Sequence, residues 1–239
     1  MRNIKGLVLV ATMLAVALCL AGCAQSEEAQ QDAAKAEAGL SVSKTPEGVI
    51  EDVVKDFESV ESKAASDLAS TKEKVGSTYD SYVANKVAIT DWYSQVEEDS
   101  KALFERTQKN AVEYYKLVAS ENGSKKNSEL QDELKDFYQQ VYEDAFKGWY
   151  RAVYEDGMKD IYNTYYDGVL KDAYNTVAYK ELSQECTDFY REYSDAQSAM
   201  YRIYSDAMSA MYRDYQDVYS AFYNGEYDVD KTLGLDSNQ

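Results

Sequence analysis

The 239 residues carry 43 Asp and Glu against 25 Lys and Arg, a net charge of −18, so nucleic acid is excluded as a partner and anionic headgroups are poor ones. No histidine is present, which removes the commonest general base and the commonest transition-metal ligand at once; neither a Ser-His nor a Cys-His couple can be written. One proline, few glycines and an abundance of Ala, Glu, Lys, Asp and Tyr point to an all-α chain with no cofactor or metal motif.

Met1-Arg2-Asn3-Ile4-Lys5 is a basic start, and Gly6 to Leu20 is an apolar run shorter than the roughly 20 residues of a spanning helix. Leu20-Ala21-Gly22-Cys23 follows. This arrangement resembles the signal peptide of bacterial lipoproteins, whose lipobox is an aliphatic residue, two small residues and a cysteine. The resemblance covers the leader alone. It implies removal of residues 1–22 as a signal peptide and acylation of Cys23, with palmitate-type chains on its thiol and amine. The mature protein is then expected on the outer face of a membrane in the bacterial cell envelope. Loss of Arg2 and Lys5 makes the mature chain two charges more acidic, and loss of Cys19 leaves Cys186 without a partner for an internal disulfide.

Residues 23–44 are polar, Ala- and Gln-rich and free of large aromatics, and read as a disordered tether. A helical domain is expected over 45–223. Thr45 is placed to cap its first helix, with Pro46 at the first helical position and acids close behind. Val49, Ile50, Val53, Phe57, Ala64 and Leu68 recur at helical spacing, Gly76 marks a break, and a second apolar series runs from Tyr79 to Val118. A loop is expected at 121–127, then a capping box of Ser128 with Gln131 opening an antiparallel return.

Two Tyr-rich repeats fill the second half. FYQQVYEDAFKG, WYRAVYEDGMKD and IYNTYYDGVLKD succeed one another every twelve residues, and Tyr138, Tyr142, Phe146, Tyr150, Tyr154, Met158, Tyr162, Tyr166, Leu170 and Tyr174 lie four apart. On an ideal α-helix such a stripe slips about 40° per step, and a supercoil following it would have a pitch near 54 Å against a usual ~150 Å. The helix must therefore be surrounded, or kinked or π-bulged, with Gly148, Gly157 and Gly168 as candidate points. Hairpins turning at Asp156-Gly157 and Asp167-Gly168 are the competing reading, which the lack of clean alternation disfavours.

The second repeat has a period of eleven: YREYSDAQSAM from Tyr190, YRIYSDAMSAM from Tyr201 and YRDYQDVYSAF from Tyr212. Eleven residues close three helical turns almost evenly, so Tyr190, Tyr193, Tyr201, Tyr204, Tyr212 and Tyr215 are expected on one face with Met200, Met211 and Phe222. Arg191, Arg202 and Arg213 are each four before an acid and should pair with Asp195, Asp206 and Asp217. The period resembles that of exchangeable apolipoproteins, without their basic interfacial residues. Asn224-Gly225 ends the helix, and 224–239 reads as a C-terminal tail, in which the Asp228, Asp230 and Asp236 spacing is a poor match to a calcium loop.

The expected architecture is an elongated antiparallel hairpin, coiled-coil-like, or a three- to four-helix bundle. Acid pairs such as Glu97-Glu98, Glu143-Asp144 and Glu155-Asp156 read as solvated faces, and Cys186 as an inert thiol. The function expected is that of a non-enzymatic interaction or structural lipoprotein, held to the membrane by lipid on Cys23. A tyrosine face (Tyr190, Tyr193, Tyr201, Tyr204, Tyr212, Tyr215, with Trp149 and Tyr150) would bind a protein or cell-wall partner or build a homo-oligomer. The alternative is a glycan or small molecule stacked between helices on Tyr side chains and Trp149.

Overall fold

A computed structural model describes residue 35, residues 40–43 and residues 45–235. The expected signal peptide, Cys23 and the tether up to residue 34 lie outside the described residues. From Leu40 onward the chain folds as one unit, and among the described residues it contains helices and no strand. The first helix, α1 (Pro46–Val75), starts at Thr45, whose hydroxyl accepts from the Gly48 N–H at 3.2 Å. It stops at Gly76, where φ is +76°, a conformation that favours glycine. A short α2 (Tyr79–Asn85), capped by Thr78, leads into α3 (Val87–Ser120).

After the 121–126 loop, helix resumes at Asn127. The expected Ser128/Gln131 box does not form. The cap lies two residues earlier, at Lys126, whose N–H donates to the Glu129 carboxylate at 2.8 Å. Glutamate three residues into a helix also meets the positive end of the helix dipole, which glutamine cannot exploit.

The run from Asn127 to Leu170 is one rod in which α and π turns alternate. Segments α4 (Asn127–Phe137), α5 (Phe146–Trp149) and α6 (Met158–Ile161) alternate with π1 (Tyr138–Ala145), π2 (Tyr150–Gly157) and π3 (Tyr162–Leu170). The π segments begin at 138, 150 and 162, once per twelve-residue repeat. The consequence is geometric. An α-helix turns once per 3.6 residues, and the wider i→i+5 turns raise the average to four. A stripe that would spiral around an α-helix therefore runs straight.

Two adjacent columns result. Phe137, Val141, Trp149, Val153, Gly157, Ile161, Tyr165, Val169 and Ala173, all of one four-residue series, are buried, and its remaining member, Ala145, is half-buried. The next series, Tyr138, Tyr142, Phe146, Tyr150, Tyr154, Met158, Tyr162, Tyr166 and Leu170, is buried or half-buried; Tyr174, expected to continue it, is 67% exposed because the rod has given way to a 3₁₀ turn there. Gly157 belongs to the first column because the Trp92 indole lies against it, 3.4 Å from where a Cβ would stand. Gly168 has no such neighbour; its nearest contact is the Asn163 carbonyl oxygen at 3.4 Å. Gly168→Ala is accordingly expected to raise unfolding free energy by roughly 0.5–1 kcal/mol through lost unfolded-state entropy. A loss in urea titration would show that π3 needs the glycine.

A 3₁₀ turn, Ala173–Asn175, precedes the 45-residue α7 (Tyr179–Tyr223). Cross-contacts fix the directions. Asp56 and Arg106 form a two-pronged ion pair at 2.8 and 2.9 Å between α1 and α3, and Lys63 meets Asp99 further along. Lys72 joins α1 to Asp160 at 2.8 Å, Lys86 joins α3's start to Glu185 at 2.5 Å, and Gln108 donates to Asp214 at 3.0 Å. These pairs describe an up-down-up-down four-helix bundle of α1, α3, the α/π rod and α7. Phe57, Phe104, Phe146 and Trp149 meet at its centre, with ring centroids 4.6–6.2 Å apart in each contact.

The sequence beyond Tyr223, expected as a tail, contains a further helix, α8 (Val229–Leu233). Asp228 caps it, Val229 is buried, and Asp230 pairs with Lys116 at 2.6 Å. Two of the three aspartates considered for calcium therefore hold this helix in place.

Candidate interaction surface

The rod and α7 meet along a seam of tyrosines built three times. Tyr138 stacks on Tyr215 at 4.7 Å and reaches Tyr212 at 6.0 Å. Tyr150 stacks on Tyr154 at 4.6 Å, and this pair meets Tyr204 at 4.7 Å and Tyr201 at 6.1 Å. Tyr162 stacks on Tyr166 at 4.9 Å, and the pair meets Tyr193 at 5.1 Å and Tyr190 at 6.5 Å. Along the rod the clusters advance by twelve residues (138, 150, 162), while along α7 they retreat by eleven (215, 204, 193). Each repeat is thus three helical turns long, wound at four residues per turn on one side and close to 3.7 on the other. Offset and tilted ring pairs at these separations contribute about 0.5–1.5 kcal/mol each beyond area burial. Burial pushes up the phenol pKa of Tyr138, Tyr150, Tyr154, Tyr162, Tyr193, Tyr204 and Tyr215.

The single tyrosine face expected on α7 is divided in two. Its inward line is Phe189, Met200, Met211 and Phe222, each at most 4% exposed. Tyr193 and Tyr204 flank that line half-buried, and Tyr215 is buried. Tyr190, Tyr201 and Tyr212, one residue past the inward line, turn to solvent at 56, 52 and 48% exposure. Methionine and phenylalanine have no group that needs water, so they take the interior, and the phenol hydroxyls settle at the wet edge.

Trp149 does not reach the surface. It is fully buried, stacked on Tyr204 with rings 6.1 Å apart and meeting Phe104 edge-on at 4.9 Å. Its place in the first column explains this, and it withdraws Trp149, with Tyr215, from any contact surface. Tyr150 stays half-buried within the seam.

The core tyrosines outside the expected contact face answer for most of their hydroxyls. Tyr114 donates to the Glu133 carbonyl oxygen at 2.6 Å, Tyr165 reaches the Lys72 carbonyl at 3.4 Å, and Tyr115 and Tyr142 share a hydrogen bond of 2.9 Å. The Tyr93 hydroxyl and the Trp149 Nε1–H are buried with no partner among the described residues. Cys186 is half-buried, and burial, then Glu185, pushes its thiol pKa upward, against nucleophilic use.

The expected arginine pairs also differ. Arg191 bonds Asp188 at 2.9 Å, one turn back, and not Asp195. Arg202 and Arg213, with Asp195, Asp206 and Asp217, form no ion pair among the described residues. Four positions of each eleven-residue unit are exposed in all three copies: Tyr190, Arg191, Asp195 and Ser198; Tyr201, Arg202, Asp206 and Ser209; Tyr212, Arg213, Asp217 and Ser220.

Concavities on this bundle are open. One of about 670 Å³ lies at the α7–α8 turn between Asp217, Asn224, Glu226, Tyr227 and Lys231. Another, about 390 Å³ and more apolar, lies between α3 and α7 along Phe104, Ile203, Ala207 and Met211. Neither brings two seam tyrosines together around a ligand-sized hollow. Among the described residues no cluster of three or more metal-capable side chains occurs, and no helix is long and apolar enough to cross a membrane.

Fold and surface together define an acidic four-helix bundle laced by tyrosines. Comparison with known proteins finds no matching family model, no similar curated protein and no similar solved structure.

Proposed function

We propose that this chain is a lipid-anchored protein of the bacterial envelope whose bundle is a non-enzymatic interaction module, engaging its partner through the solvent face of α7. The Leu20-Ala21-Gly22-Cys23 lipobox supports the anchor. The observation that carries the interaction is the pattern of identity within the eleven-residue repeat. All four positions exposed in every copy are the same residue three times, Tyr, Arg, Asp and Ser. Among the inward and flanking positions three vary (Met200, Met211 and Phe222; Ala196, Ala207 and Val218; Gln197, Met208 and Tyr219), while the seam tyrosines Tyr193, Tyr204 and Tyr215 and the small Ala199, Ala210 and Ala221 are constant where packing itself demands them. Stability constrains a helix where it packs and tolerates change of about ±0.5 kcal/mol where it is exposed. Identity at all four of the positions exposed in every copy, against two of the other seven, has no packing demand behind it and supports a surface requirement. Exposed phenol rings beside arginines are the composition of contact patches. A glycan held between helices has less support, since Trp149 and the seam rings are packed against one another.

In cells, labelled palmitate is expected to mark the wild-type chain, and Cys23→Ser to lose the label and leave the membrane fraction. Surface cross-linking of intact cells should trap adducts that disappear when Tyr190, Tyr201 and Tyr212 are all replaced by serine with helical circular dichroism unchanged. Unlabelled wild-type protein counts against the anchor, and adducts indifferent to the triple replacement count against this face.

A further inference from the structure

We infer that the partner of the α7 face is the same face of a second copy, lying antiparallel about a two-fold axis that crosses α7 at the level of residue 204. This deepens the interaction reading above and rests on it for the choice of face.

An isologous contact requires a self-complementary surface: if residue i meets residue j, then j meets i. For two antiparallel copies of one helix, the numbers of facing residues add to a constant. The arginines at 191, 202 and 213 and the aspartates at 195, 206 and 217 satisfy one such constant together. Arg191 faces Asp217, Arg202 faces Asp206, and Arg213 faces Asp195, each pair occurring twice across the axis. A parallel copy in equal register would set arginine on arginine. In the same register, to within one residue, Ser198 meets Ser209 along one edge of the strip and Ala199 meets Ala210 along the other, so small side chains flank the central charges and let the two backbones approach. Tyr190, Tyr201 and Tyr212 stand along one edge of the strip.

The charges are free for this use. Within one molecule, Arg202, Arg213, Asp195, Asp206 and Asp217 make no ion pair among the described residues, and only Arg191 is engaged, with exposed geometry, by Asp188. The strip also solves a problem of the whole chain. At a net charge of −18 two copies repel in most orientations, whereas this face balances three arginines with three aspartates. Anchoring both copies in one membrane would raise their effective concentration, so a weak contact suffices.

The test uses the full mature chain with Cys23→Ser, which stays unlipidated, in sedimentation velocity over a concentration series. The wild-type face should give a monomer–dimer equilibrium that weakens with added salt. An all-acid variant (Arg191→Asp, Arg202→Asp, Arg213→Asp) and an all-base variant (Asp195→Arg, Asp206→Arg, Asp217→Arg) should each be monomeric alone. Mixed in equal amounts they should form a heterodimer, because every like pair becomes an unlike one. Should either triple variant lose helical content, Arg202→Asp and Asp206→Arg at the centre are read in the same way, alone and mixed. Wild-type protein that stays monomeric, variants that dimerise like the wild type, or a mixture that fails to associate would each overturn the proposal. A monomer in solution alongside intact Tyr-dependent surface adducts removes the self-pairing and leaves the interaction module. A dimer alongside absent palmitate label does the reverse.

Discussion

Raising the pH from 9 to 12 is expected to unfold the bundle cooperatively, starting near pH 10, where free phenols ionise. Tyr93, Tyr114, Tyr115 and Tyr142 all have pKa values pushed far upward. Burial is the leading cause in each, followed by Tyr193 for Tyr93, by Glu133 for Tyr114 and by the paired Tyr142 for Tyr115. A phenol whose folded pKa exceeds its unfolded value keeps its proton in the native state after the unfolded chain has released its own. The unfolded chain then binds fewer protons, so stability is fully present below pH 10 and falls as pH rises. Each such phenol costs about 1.4 kcal/mol per pH unit above that point, and four together cost on the order of 5 kcal/mol per unit. A domain of ordinary stability, roughly 5–15 kcal/mol, is exhausted within about two units. Circular dichroism and phenolate absorbance followed together should show one shared transition. Stepwise ionisation with helicity intact at pH 12 would contradict the burial of these hydroxyls.

Trp149→Ala is the second large effect. The indole is fully buried against Phe104 and Tyr204, and truncating such a ring costs about 3–5 kcal/mol. In a chain of this size that lowers the melting temperature by on the order of 10 °C. Trp149→Phe is expected to cost much less, about 1–2 kcal/mol, because the ring centre stays filled and the Nε1–H it deletes has no acceptor among the described residues. Thermal and urea melts of both variants decide this. Equal losses for Ala and Phe would mean that the indole nitrogen, not the ring, holds the site together.

The all-α class, the ends of the helices at Thr45, Gly76 and Tyr223, and both repeats were legible from residues alone, because capping chemistry and periodicity are local properties. What periodicity could not supply was phase. The eleven-residue repeat showed a straight stripe, but whether its centre was Tyr201 or Met200 depended on which side chain tolerates complete dehydration, and methionine does. The four-residue stripe posed a conflict with α-helical geometry. π turns at 138, 150 and 162 resolve it, without any of the three suggested glycines starting one. Their position is fixed by the need to keep two columns aligned against α1 and α3 on one side and α7 on the other, a tertiary demand that no window of sequence contains. Trp149 followed from that alignment: as a member of the Phe137 column it was bound for the interior. The exposed quartet Tyr-Arg-Asp-Ser was written openly in the sequence, but only burial shows that its invariance falls on the outside.

The pairing of a twelve-residue unit with an eleven-residue one sets a rule for how this protein can change length. A single-residue insertion in either helix throws every tyrosine cluster beyond it out of step, like a gear missing a tooth. Growth or trimming of the seam is compatible with the fold only in matched quanta, twelve residues in the rod together with eleven in α7. Natural variation in size should therefore come as duplicated modules on both strands of the seam at once, and an engineered ruler built from this bundle would have three turns as its smallest graduation.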